Sequence, residues 1–395
     1  MKKTLLHFFK KNFYLLSILL SSFFLTACIS QISAPVDSII NASSTSGTVS
    51  SAKTDRTIAV LLPLSGNFSL EGKTIRSAIE AGANAQNNDM THHIKFIYFD
   101  SEHYTDGKSA YQAALVEQPS LILGPLTKNA VNSIVQEDLP IPTLALNQAE
   151  QTMVTPINLY AFSLNPQADA IAVAEKIDQD GYQQVITIAP NDQWGNAIAS
   201  AFNQAWLNKH ETNAMLVNYE LPLNLSSFAV GQKTAAPDNH TAIFVIVSSQ
   251  NASALLKHLK VIYPNQSIYT LPMAFNTNNL ADLEGINFQI APWWLHPQAI
   301  LHAVRSLKLD DNNNSSIDPN LYAFGLDIAQ LSDYYLQHNN FSDLALNANS
   351  GYLTLNSNNI IERTLMWASV KQGQLIIAPQ KVNIPIQPED TGLMS

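Results

Sequence analysis

An α/β fold of two doubly wound parallel-sheet lobes, joined by a hinge and finished by a terminal antiparallel hairpin, is what this sequence predicts. Three observations carry the prediction. From residue 57 onward short β-rich apolar runs alternate with helical patterns, the signature of a parallel sheet covered by helices on both faces. The same alternation restarts near Ala168, and a single open sheet holding every strand would be unusually wide. At 395 residues, 46% hydrophobic and 13% charged, the chain has material for a large core.

Residues 57–62 form the first strand, ended by Pro63. A helix over 71–86 follows, with Ile75, Ala78, Ile79 and Ala83 on one face. Next come a strand at 94–99, a helix at 106–117, a short buried strand at 120–123, a helix at 128–136 and a strand at 140–145. The second set opens with a helix from Ala168 to Gln179, a strand at 184–189, and a helix at 195–210 carrying Ile198, Phe202 and Trp206 at i, i+4, i+8. Runs at 215–219, 242–247, 252–262, 267–271 and 287–290 continue it. A long helix over 320–337 repeats Leu321, Phe324, Ile328, Leu331 and Tyr335, which over barely two heptads reads as lobe packing and not as a coiled-coil seam. Runs at 352–355 and 360–367, joined by Asn356-Ser357-Asn358-Asn359, form an antiparallel hairpin, and Lys371-Gln372-Gly373 turns into a third strand at 374–377.

The amino terminus has a different character. Lys2, Lys3, Lys10 and Lys11 precede a short apolar run that closes on Leu25-Thr26-Ala27-Cys28, the pattern of a secretory leader. The run is too short for a membrane span, which needs about 20 apolar residues. A Cys directly after the cut, with Leu three before it, resembles a bacterial lipobox, which implies acylation at Cys28 and a mature chain over 28–395. With Cys28 used this way no second Cys remains for a disulfide. Residues 29–54, rich in Ser, Thr, Ala and Asn, read as a flexible tether with an r.m.s. reach of about 28 Å.

These readings divide the chain into a leader (1–27), an acylated Cys with its tether (28–54), a bilobal domain (55–380) and a carboxyl-terminal tail (381–395). The first lobe is expected to take about 55–165 plus about 296–345, and the second about 166–295 plus about 346–380. Loss of the four leader lysines leaves 17 basic against 31 acidic residues, a formal charge of −14. Such a surface is repelled by phosphate backbones and anionic headgroups, so nucleic acid is excluded as a partner and membrane contact falls to the lipid.

Three motifs suggest chemistry and fail on spacing or on residue type. The stretch Gly66-Asn67-Phe68-Ser69-Leu70-Glu71-Gly72-Lys73-Thr74 resembles a phosphate-binding loop, but five residues separate its glycines where four are needed. Asp310, Asn312 and Asn314 match the first calcium-loop positions, yet Ser315 stands where Gly is required and Leu321 where Glu is. Asp100, Glu102, His103 and Asp106, with His92 and His93 nearby, lack the paired-histidine spacing of a metal site. No nucleophile elbow is present, and no pattern calls for a cofactor or an enzyme.

The segments Ile58-Ala59-Val60-Leu61-Leu62-Pro63-Leu64-Ser65-Gly66, Leu123-Gly124-Pro125-Leu126 and Ile141-Pro142-Thr143-Leu144-Ala145-Leu146-Asn147 resemble the type I periplasmic-binding-protein fold. Three later segments are more specific. Asp282-Leu283-Glu284-Gly285-Ile286 running to Pro292-Trp293-Trp294-Leu295, then Leu321-Tyr322-Ala323-Phe324-Gly325-Leu326-Asp327, then Gly351-Tyr352-Leu353-Thr354-Leu355 with Ile361-Glu362-Arg363 and Trp367-Ala368, are similar to the lipoprotein activators of penicillin-binding proteins, the LpoA family. The resemblance covers roughly 57–380. It implies an outer-membrane lipoprotein facing the periplasm, which binds a bifunctional class A penicillin-binding protein and stimulates its transpeptidase. Ile29 after the anchor agrees, since Asp there would favour the inner membrane. Longer members carry a helical repeat domain ahead of this fold, where here the tether is expected.

Ligands of open α/β sheets bind outside the carboxyl ends of the strands. The cleft candidates on that rule are Ser65, Thr127, Asn147, Asn191 and Trp194. A second reading is a membrane-tethered solute-binding protein whose cleft takes a small polar molecule.

Overall fold

The structure, a computed structural model, describes residues 54–86, 92–150, 155–225, 238–275, 279–296, 298–299 and 318–379. The leader, Cys28, nearly all of the tether, the Asn-rich stretch up to residue 317 and the 381–395 tail lie outside the described residues.

Two sheets organise the chain. The first is built from β1 (Thr54–Leu62), β2 (His92–Asp100), β3 (Leu121–Leu123), β4 (Thr143–Ala145) and β5 (Leu159–Phe162), all parallel. Its helices are α1 (Ser69–Gln86), α2 (Gly107–Leu115) and α3 (Lys128–Ile134). After α4 (Pro166–Gln179) the second parallel sheet follows: β6 (Gln184–Pro190), β7 (Met215–Tyr219), β8 (Thr241–Val245), β9 (Ile268–Thr270) and β10 (Ile286–Ile290). Helices α5 (Gln193–Leu207) and α6 (Ser249–Ile262) lie between its strands in sequence. The parallel parts run β5-β4-β3-β1-β2 and β10-β9-β8-β6-β7, so both lobes share one doubly wound order.

Local chemistry explains the element ends. Helix α2 starts at Asp106, whose carboxylate accepts the Ser109 amide at 2.8 Å while the Ser109 hydroxyl takes the Asp106 amide, a reciprocal capping box. Asn165 with Pro166, and Asp192, start α4 and α5 in related ways. The faces read from periodicity are inside: Ile75, Ala78 and Ile79 are fully buried with Ala83 nearly so, and Ile198, Phe202 and Trp206 lie in the second lobe's core. Phe202 stacks between Phe244 and Trp206.

The final third departs from expectation only after its long helix. Helix α7 (Pro319–His338) returns to the first lobe and lies along α1. Then β11 (Ala345–Asn347), β12 (Tyr352–Leu355) and β13 (Ile360–Thr364) extend the first sheet, with β13 running parallel beside β5. Only β14 (Met366–Lys371) and β15 (Gln374–Ile377) join the second sheet, antiparallel at β10. Assigning about 346–380 to the second lobe is therefore corrected: residues 345–364 belong to the first sheet. The apolar run read as one strand over 360–367 breaks at Leu365, where the chain changes sheets. Strand β5 carried too short a pattern to be read beforehand.

Candidate functional site

The loops at the carboxyl ends of the first sheet form one polar group. Asp100, the last residue of β2, turns its carboxylate back on the loop after β1, where Oδ1 accepts the amides of Leu64 at 2.9 Å and Ser65 at 3.3 Å, and also that of Glu102 at 3.2 Å. Burial pushes the Asp100 carboxyl up, but the bonds from the Ser65 side chain and these amides outweigh it and hold the group below its ordinary range. Thr127 opens α3 without a side-chain capping bond. With Ser101, Glu102, Asp106 and Asn129 it lines an open cavity of about 240 Å³. Asn147 joins the exits of β3 and β4: its Nδ2 donates to the Leu126 carbonyl at 3.1 Å, and its Oδ1 accepts the Gln148 amide at 2.9 Å.

On the second sheet Asn191 follows β6, and its Nδ2 donates to Glu220 Oε1 at 2.7 Å beyond the end of β7. Trp194 stands in the first turn of α5 with its side chain 40% exposed. Ser65, Thr127 and Asn147 thus share one loop cluster and Asn191 and Trp194 another. The hydrogen bonds described for these residues stay within their own lobe.

The phosphate-loop resemblance resolves into an ordinary turn. The amides of Ser69 and Gly72 donate to the Gly66 and Phe68 carbonyls, and the Glu102 carboxylate lies against Gly66, where an anion would be repelled. Among the described residues no three His, Cys, Asp or Glu side chains are grouped as a metal would require. These loops present hydroxyl, amide and carboxylate groups.

A second polar group sits where the chain passes between the sheets, and sequence reasoning did not single it out. Arg363 on β13 places Nη2 at 3.0 Å from both carboxylate oxygens of Asp169 on α4, with side chains only 8% and 12% exposed. Burial pushes the Asp169 carboxyl up against the opposing pull of this guanidinium. Asp327, fully buried on α7, accepts the Asn349 amide at 2.7 Å, Asn349 Nδ2 at 2.9 Å and the Ser350 amide at 2.7 Å. Burial pushes its carboxyl up to about 6 despite those bonds. The Asn349 carbonyl in turn accepts the Trp293 amide at 3.0 Å, just past β10. Asp327 and Arg363 both lie in segments that carry the family resemblance, and that was the only signal in the sequence that marked them.

Two sheets of one strand order, with polar loops gathered at the carboxyl ends of both, define a bilobal fold of the periplasmic-binding-protein kind. The chain belongs to the LppC lipoprotein family, whose pattern matches residues 48–373. It is similar to the penicillin-binding protein activator LpoA of Haemophilus ducreyi, 26% identical over 324 residues, covering 80% of this chain and 53% of that relative. The LpoA of Mannheimia succiniciproducens is 28% identical over 330 residues, covering 81% of this chain and 54% of the relative. The chain therefore spans about half the length of the curated relatives it matches. Among solved structures, the C-domain of LpoA from Haemophilus influenzae, described as a regulator of PBP1A, superposes with a TM-score of 0.64 at 23% identity over 82% of this chain and 100% of that one. That similarity shows the fold.

Proposed function

We propose that this chain is an outer-membrane lipoprotein, acylated at Cys28 and facing the periplasm, that binds and stimulates the transpeptidase of a bifunctional class A penicillin-binding protein. It acts by docking and catalyses no reaction itself. The observation that carries the reading is the match to curated penicillin-binding protein activators across about 80% of the chain, within the family matched over residues 48–373. The bilobal domain is taken as the part that meets the synthase. Ser65, Thr127, Asn147, Asn191 and Trp194 are proposed to line the cleft, where a small polar molecule would sit.

The test is crosslinking by the organism's own purified class A synthase, with and without a soluble form of residues 53–395. A dose-dependent rise in crosslinked product, with glycan polymerisation followed separately, is expected. No rise from a folded sample overturns the activator reading.

A further inference from the structure

The described strands pass between the two sheets three times: from β5 to β6, from β10 to β11, and from β13 to β14. Groups from all three passages converge on one side chain. Arg363 lies two residues before Leu365, where the third passage occurs. Its Nη2 holds Asp169 in the first turn of α4, the helix that carries the first passage into the second lobe's core. Its Nη1 lies 3.5 Å from the Ser350 carbonyl, and the Asn349–Ser350 turn is itself held by Asp327 on one side and by the Trp293 amide on the other. Trp293 leaves the second sheet and α7 returns to the first, so that turn spans the second passage. Asp318, the residue that caps α7, also lies within electrostatic reach of Arg363. The backbone makes room for this arrangement at Gly351, where a Cβ would stand 2.5 Å from Arg363 Cγ.

We infer that Arg363 and Asp169 form an interlobe lock that holds the two lobes at one fixed opening. Arg363 belongs to the first lobe's sheet and Asp169 to a helix packed in the second lobe's core, so a change of interlobe angle must move one against the other. A charge-assisted bond at 3.0 Å does not survive a lengthening of about 1 Å. Both charges are nearly dry, so each parted partner would be left as an uncompensated buried ion. An ordinary hinge-bending binder needs its crossings free to rotate. Here the crossings are cross-linked through one guanidinium, and the lobes act as a single rigid platform. The inference stands independently of the synthase reading.

The experiment is a spin-label distance measurement on the chain carrying Cys28→Ala, which leaves it unacylated and with no thiol of its own to take a label. Labels go at Glu117→Cys on the first lobe and Glu211→Cys on the second, both exposed. The otherwise native chain is expected to give one narrow distance distribution. The paired variant Asp169→Leu with Arg363→Met leaves no buried charge, and its folding is checked by circular dichroism. It is expected to broaden the distribution at least twofold or shift it. A folded paired variant with the native distribution overturns the lock. A broad or split distribution in the native chain overturns it without any variant, so a paired variant that does not fold leaves the inference open to refutation.

Discussion

Replacing Gly325 with Ala places a methyl group where α7 lies close against α1, and the structure sets the size of the effect. The new Cβ would stand 2.5 Å from Ala78 Cβ and 2.9 Å from the Ile75 carbonyl oxygen. Carbon pairs are most stable at about 3.5–4.0 Å, so the helices must part by about 1 Å. The carbonyl cannot rotate away, and parting loosens Ile75, Ile79, Phe324, Ile328 and Leu331, all buried on the same seam. Overpacking of this kind costs about 1–3 kcal/mol, and the gaps opened beside it add to that. Against this, Ala is better than Gly in a helix by about 1 kcal/mol. The expected net loss is about 2 kcal/mol, a fall in melting temperature of roughly 3 °C for a domain of this size. Thermal unfolding followed by circular dichroism measures it. Gly82→Ala serves as the internal comparison: its Cβ would crowd the Ala329 methyl at 2.8 Å but stand at ordinary contact distance, 3.5 Å, from the Leu326 carbonyl oxygen, and its loss should be smaller. A melting temperature for Gly325→Ala equal to or above the parent's would refute the reasoning, because propensity alone predicts that rise.

Asp327, held up to about 6 by burial, titrates higher folded than unfolded. Its contribution to stability is therefore complete below its ordinary value near 4 and is lost as pH rises through 6, a swing of up to about 3 kcal/mol. Urea unfolding of the parent between pH 4 and 7 should show that decline, and Asp327→Asn should flatten it. Asp100→Ala leaves the amides of Leu64, Ser65 and Glu102 without their acceptor, at a cost of about 1–3 kcal/mol. Hydrogen exchange at Leu64 and Ser65 should quicken by at least tenfold. The Asp100 carboxyl sits below its ordinary range, so the parent keeps this support above the usual carboxylate values and loses it as pH falls through the folded one.

Period and punctuation made most elements legible. Strand β7 coincides with the apolar run at 215–219, and the stripe Ile198, Phe202, Trp206 marked the buried face of α5. What periodicity could not show was a change of partner inside one continuous apolar run. Residues 360–367 read as a single strand, since nothing in Thr364-Leu365-Met366 signals a turn, yet pairing with β5 on one side and β10 on the other divides it. The candidate site was legible in part. The strand-end rule located the loops, but the partner that fixes Ser65 comes from Asp100, 35 positions away, and the one that fixes Asn191 from Glu220, 29 away. Arg363 and Asp169 lie 194 positions apart, a separation at which local pattern carries no information.

The residues that carry the family resemblance turn out to hold the frame. Glu284 accepts the amides of Gln372 and Gly373, closing the turn between β14 and β15 onto the loop before β10. Trp293, Asp327 and Arg363 hold the passages between the lobes, and Gly325 lets α7 lie against α1. Contacts of this kind fix the relation of the two lobes, which the proposed docking role would require to be presented unchanged to a partner. A substitution in these segments that weakens stimulation of a synthase therefore bears on the contact surface only if thermal stability and interlobe distance are unchanged. An exposed side chain such as Trp194 can report on contact directly, because it lies outside these frame contacts.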